Sequence, residues 1–147
     1  MEKLNELAVR VNDLLPLLAT KLIHFVKDFP EPDITVAQAF LLNHLRRRGP
    51  STASGIGEMM GVTSGPVTSL TKRLIARGLL HRYRDEVDGR VVWFALTEEG
   101  ERLADELDKH STKRWTLVME HLGLVRAEET IALLEDTIRV LSEFNRR

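Results

Sequence analysis

Cysteine is absent from this 147-residue chain, which excludes disulfides, thiol-based redox switching and thiolate zinc sites. Long apolar runs are missing as well, and no stretch reaches the 18 or so residues that a membrane span requires. The opening residues, MEKLNELAVR, are charged and carry no apolar signal core. A soluble cytoplasmic protein with no membrane partner is the expectation. There is no Gly-rich phosphate loop, no nucleophile motif and no His–carboxylate pair at a useful spacing. An enzyme is therefore not expected, and no cofactor is implied. His110 and His121 fall three helical turns apart, too far to share a metal, so no metal site is expected either.

What the chain does have is apolar content sufficient for a core, 43% of residues, and an uneven charge. The net charge of −1 hides a basic middle. Between Leu45 and Leu96 nine basic residues face four acids, a net of +5 that leaves −6 for the rest. A basic block between acidic ends suits a DNA-binding module joined to an acidic second part.

Periodicity divides the chain into helices and one hairpin. Leu4, Leu7, Val11, Leu14, Leu18, Leu22 and Phe25 recur at three- and four-residue steps, an amphipathic helix that Pro16 should kink or break. DFPEPD ends it, Thr35 caps a second helix, and Gly49-Pro50 stops that one. The arginines at 46 to 48 suit the negative end of the second helix, a role that needs no DNA. Residues 53 to 60 form a short helix whose glycines give weak propensity but allow another helix to come close. Gly61 supplies a turn, and Thr63 caps a longer helix to about Arg77, with Pro66 in its first turn. Helix, glycine turn and capped helix make a helix-turn-helix. On the second of these helices Val67, Leu70, Leu74 and Ile75 face the core. Ser64, Gly65, Thr68, Ser69, Lys72 and Arg73 are left to face outward.

Strands over Leu79 to Arg84 and Arg90 to Leu96 flank Asp88-Gly89, a dipeptide that favours a tight turn with positive φ. Thr97 caps a long helix to about His121, roughly 37 Å in length. A last helix carries Ile131, Leu134, Ile138 and Leu141 in a heptad-like seam. The fold class expected is mainly α with a small antiparallel β-wing: a winged helix-turn-helix over 34–96 and a connecting helix over 97–122. Helical dimerisation segments at 1–30 and 123–147 complete it.

In that order the pieces DITVAQAFLLNHL, GVTSGPVTSLTKRLIARGLL, the hairpin with DGR, and LTEEG at Leu96 to Gly100 resemble the MarR (multiple antibiotic resistance regulator) family. The resemblance covers nearly the whole chain. It implies a cytoplasmic, nucleoid-associated homodimer whose first and last helices interlock, with Leu4, Leu7, Val11, Ile131, Leu134, Ile138 and Leu141 at the interface. Two lobes would then grip double-stranded DNA at a pseudo-palindromic operator, and binding would repress transcription. Ser64, Gly65, Thr68, Ser69, Lys72 and Arg73 of the recognition helix would contact DNA, with Arg84, Asp88 and Arg90 of the wing.

Asp88 and Arg90 match a wing-tip pair in which the acid holds an arginine for the minor groove, here expected as a bidentate pair. The chain departs from many relatives at Gly89, where they have a second arginine, and at Ser69, where a long basic side chain is usual. Less direct base readout and more reading of DNA shape are the expected result. The resemblance also implies a small-molecule effector that releases the protein from DNA. His24, Phe40, His44, His110 and Trp115 are the candidate contacts, on the helices that line the family's effector cleft. The competing readings are a dimeric winged-helix protein-interaction module and a non-specific DNA-binding protein without ligand response.

Overall fold

Along residues 1–144, the part of the chain that the computed structural model describes, nine elements follow one another. They are α1 (Glu2–Val26), α2 (Val36–Arg48), β1 (Ser51–Thr52), α3 (Ala53–Met60), α4 (Ser64–Ala76), β2 (Leu80–Arg84), β3 (Val92–Leu96), α5 (Glu98–Leu122) and α6 (Leu124–Phe144). Residues 145–147, the end of the segment assigned above to dimerisation, lie outside the described residues. The chain forms two compact units, Met1–Asp108 and a second beginning at Lys109.

The first unit holds a core drawn from every element of the helix-turn-helix. Leu41, Leu42 and Leu45 of α2 meet Ile56 of α3, Val67 and Leu74 of α4, Leu80 and Phe94 of the sheet, and Leu103 and Leu107 of α5. Each such side chain contributes about 1.5–3 kcal/mol by leaving water. Thr35 opens α2 with a complete capping box: its hydroxyl accepts from the Gln38 N–H, and the Gln38 side chain accepts from the Thr35 N–H. The short α3 is held by its neighbours, as its composition requires. A β-carbon on Gly57 would stand 2.9 Å from the Val62 carbonyl and 3.5 Å from Val67, so only glycine lets α3 sit this close to the turn and α4. Gly61 ends α3 in the left-handed region at φ 65°.

Several local expectations are corrected. Pro16 does not break α1, which runs unbroken through it. The proline removes the N–H that would serve the Asn12 carbonyl, but both positions are exposed and water can take that place. Thr63 stands at the N-cap of α4 without a side-chain cap bond. The third helical position, which would normally donate to it, is Pro66 and has no N–H. On α4, Val67 and Leu74 are buried and Leu70 and Ile75 half-buried as read. Thr71 joins them in the interior, its hydroxyl returned to the Val67 carbonyl at 2.9 Å.

The wing is a three-stranded antiparallel sheet in the order β1-β3-β2, not a two-stranded hairpin. The extra strand has two residues, with Ser51 opposite Phe94 and Thr52 opposite Trp93. Its brevity left no alternation to read. β2 and β3 pair from Leu80 opposite Leu96 to Arg84 opposite Val92, two residues short of Arg90. Neither Asp88 nor Gly89 has positive φ, so the expected tight Asp-Gly turn does not form.

In the second unit, no described residue of α6 is buried, and the same holds for α1 in the first. Leu4, Leu7 and Val11 on α1, and Ile131, Leu134, Ile138 and Leu141 on α6, stand exposed. Among the described residues no helix is long and apolar enough to cross a membrane.

Candidate nucleic-acid interface

The loop between β2 and β3 explains why acids crowd the tip of a basic hairpin. Asp85 organises it. One carboxylate oxygen accepts from the Val87 and Asp88 N–H groups at 2.9 and 3.0 Å, and the other accepts from the Trp93 indole N–H at 2.8 Å. The chain then closes through the Asp85 N–H on the Val91 carbonyl and the Val91 N–H on the Asp88 carbonyl, both at 2.9 Å. An aspartate that binds N–H groups two and three residues ahead competes with ladder pairing, which is why the strands stop early. The Asp88 N–H, then the Trp93 indole, then the Val87 N–H hold the Asp85 carboxyl below its ordinary value of 3.8. Position 85 was missed from sequence, although an Asx turn is a recognisable signal.

The Asp88–Arg90 pair is looser than expected. Arg90 Nε lies 3.5 Å from Asp88 Oδ1 in a single contact, with no bidentate geometry. The same oxygen accepts the Arg90 backbone N–H at 3.1 Å, so Asp88 shapes the turn more than it holds the guanidinium. The Arg90 side chain is 95% exposed. Arg84 donates to the Gly89 carbonyl at 2.7 Å, bracing the loop from the strand side.

On α4 the outward residues Ser64, Gly65, Thr68, Ser69, Lys72 and Arg73 are all exposed. Thr68 spends its hydroxyl proton on the Ser64 carbonyl at 2.9 Å, so its oxygen remains as an acceptor. From Gly61 to Arg84 there is not one acid. That stretch contains the whole of α4 and β2.

The basic block is only partly free. Arg46 donates to Asp105 at 2.7 Å and Asp108 at 3.3 Å, and Arg47 donates to Asp108 at 2.6 Å. These contacts tie the end of α2 to the first part of α5, adding ion pairs to the helix-end role read for the three arginines. Arg77 donates to the Asp33 carbonyl at 3.0 Å and sits 3.5 Å from Glu31. The three carboxylates, of Asp105, Asp108 and Glu31, all lie outside the window that looked so basic. Among the described residues Arg48, Lys72, Arg73 and Arg82 have no acidic partner.

The effector candidates are divided between the units. His24 on α1 and Phe40 on α2 are exposed, and His44 is half-buried with Nε2 3.4 Å from the Ser51 hydroxyl. His110 and Trp115, both half-buried, belong to the second unit. A concavity of about 370 Å³ in that unit is lined by Met119, Ala127, Glu128, Ile131, Ala132 and Glu135, none of them a candidate. Among the described residues no group of three or more His, Asp or Glu side chains could hold a metal ion.

Comparison with known proteins agrees with this architecture. The family model described as MarR family matches residues 34–92. An uncharacterised HTH-type transcriptional regulator, YhbI of Bacillus subtilis, is 35% identical over 50% of this chain and 48% of its own. The HTH-type transcriptional repressor MdtR of the same organism is 29% identical over 73% of this chain and 67% of its own. The matched segment thus spans about half to two thirds of these curated relatives. A mutant MarR from E. coli, solved in complex with operator DNA, has the same fold, with a TM-score of 0.77 at 20% identity over 88% of this chain and 94% of that one. Residues 34–92 thus match the MarR family model, and the chain has the fold of a MarR structure solved on operator DNA.

Proposed function

We propose that the protein is a homodimeric, sequence-specific DNA-binding regulator that represses transcription and is released by a small-molecule effector. The observation that carries the DNA reading is the acid-free exposed face of α4, with Lys72 and Arg73 unpaired, on the same folded unit as a wing that ends in the exposed Arg90. Ser64, Gly65, Thr68 and Ser69 let the start of α4 approach base edges, while Lys72 and Arg73 reach phosphate or guanine. Arg90 enters the minor groove, where a narrow A·T-rich stretch favours a cation. Arg84 and Asp88 set the loop that presents it.

Homodimerisation rests on α1 and α6. Apolar helices of 25 and 21 residues without one buried side chain need a partner, and a second copy supplies two lobes for a pseudo-palindromic operator. Half-site centres then lie about 10 bp apart. Repression takes support from MdtR, the relative named as a repressor. Effector release, through His24, Phe40, His44, His110 or Trp115, takes its support from the family resemblance, and nucleoid association follows from DNA binding.

Selection from a random duplex library at fixed near-physiological salt tests the reading. Enrichment of an inverted repeat is expected. Weak, salt-sensitive binding without enrichment would replace it with non-specific DNA coating or a protein-interaction role.

A further inference from the structure

The face of the wing that bears Tyr83 and Trp93 carries a concavity of about 500 Å³, lined by Pro50, Tyr83, Asp85, Glu86, Val87 and Trp93. That volume is within the range of small-molecule sites. Tyr83 and Trp93 are cross-strand partners on β2 and β3, so both side chains stand on the same face of the sheet. Both are held in place. The His81 ring stacks on Tyr83 with centroids 5.8 Å apart, and the Trp93 indole N–H is fixed on Asp85. Pro50 closes one side and the loop residues Asp85 to Val87 the other. Val87, 98% exposed, is an apolar flap with no packing of its own.

The lining is aromatic and acidic, with no basic residue in it. Asp85 has both carboxylate oxygens occupied by N–H donors, but it keeps its charge. Among the described residues Glu86 has no hydrogen-bonding or ionic partner. Aromatic faces under a negative rim repel phosphate and attract cations, because the ring quadrupole and the carboxylates add.

We infer that this concavity is a binding site for a small organic cation, an ammonium or guanidinium bearing apolar groups, seated on Tyr83 and Trp93 beside the Glu86 carboxylate. The ligand class is opposite in charge to DNA, and the site needs no DNA to be tested. It also shares Asp85 with the loop that presents Arg90, so occupancy bears directly on the wing.

Choline and its uncharged isostere 3,3-dimethylbutan-1-ol separate charge from shape. Each is titrated into the full-length protein while ¹⁵N–¹H spectra are recorded, with the two indole signals assigned through Trp115→Phe. Choline should produce saturable shifts of the Trp93 indole and of the Val87 and Asp88 amides, leaving the Trp115 indole still. The alcohol should produce none that saturate. Glu86→Gln and Tyr83→Leu, both at exposed positions, should each weaken choline about two- to fivefold. Shifts that rise linearly without saturating, equal shifts from the alcohol, shifts centred away from the wing, or unchanged affinity in Glu86→Gln would overturn the assignment.

Discussion

Gly100, the last residue of the LTEEG motif, fixes how α5 leaves the wing, and replacing it with alanine should unseat that junction. A β-carbon there would lie 2.0 Å from the Leu79 carbonyl oxygen, 3.0 Å from its carbon and 3.2 Å from Leu96 Cδ2. Ordinary contact begins near 3.4 Å, so backbone must move by more than an ångström. The Leu79 carbonyl has no freedom to retreat, because it accepts the Thr97 N–H at 3.1 Å, and the Thr97 hydroxyl is in turn held on the Gly78 carbonyl at 2.6 Å. Overpacking of this kind costs about 1–3 kcal/mol, and losing the Thr97 bond about 1 kcal/mol more. Alanine returns up to about 1 kcal/mol in helix propensity. The net loss is about 1–3 kcal/mol, or roughly 3–10 °C in Tm for a chain of this length. Urea or thermal unfolding at fixed protein concentration reads it, with Gly65→Ala as the control. Position 65 has open space around it, so the control should show no loss. A Gly100→Ala variant as stable as wild type, with its helix content intact, would refute the steric reasoning.

Three further outcomes are expected. Arg90→Ala should weaken operator binding by about 1–3 kcal/mol and reduce the preference for A·T-rich flanks, read by fluorescence anisotropy at moderate salt; unchanged affinity would remove the wing from the interface. Leu134→Glu combined with Ile138→Glu should give a monomer in analytical ultracentrifugation and abolish tight binding, and a variant that stays dimeric would move the interface elsewhere. The Trp93 indole proton should report the loop as pH falls. Because Asp85 has a lowered folded value, the order it provides is complete above the ordinary value and is lost as pH drops through the lowered one. The indole shift should therefore hold steady to about pH 4 and move only below it. A midpoint at or above the ordinary value, or no midpoint at all in wild type while Asp85→Asn already shows the shifted signal, would contradict this.

Local signals carried most of what could be read in advance. Thr35 before the second helix, Gly61 after a weak helix, and Thr97 before Glu98 and Glu99 each state a helix boundary within a few residues of chain, and the structure has them there. The failures share a different cause. Thr63 looks like a cap until Pro66 is recognised as lacking the donor. Asp88-Gly89 looks like a tight turn until Asp85, three residues earlier, takes the loop's N–H groups. Arg46 and Arg47 look free because Asp105 and Asp108 stand some sixty residues away in sequence. The candidate interface on α4 was legible because an amphipathic helix exposes whatever it does not bury. The loop geometry was not, since it depends on a side chain reaching across to Trp93.

Those distant partners also govern how the protein should feel its ionic surroundings. A guanidinium already neutralised by a carboxylate displaces no counterion from DNA. Nine cations in each of two chains would imply a slope of log affinity against log salt near −16. With Arg46, Arg47, Arg77 and Arg90 paired with Asp105, Asp108, Glu31 and Asp88, five per chain remain and the ceiling falls to about −9. A cell that shifts its potassium under osmotic stress would therefore loosen this protein from DNA much less than its arginine count suggests. The acids that hold its lobe together also moderate its response to salt.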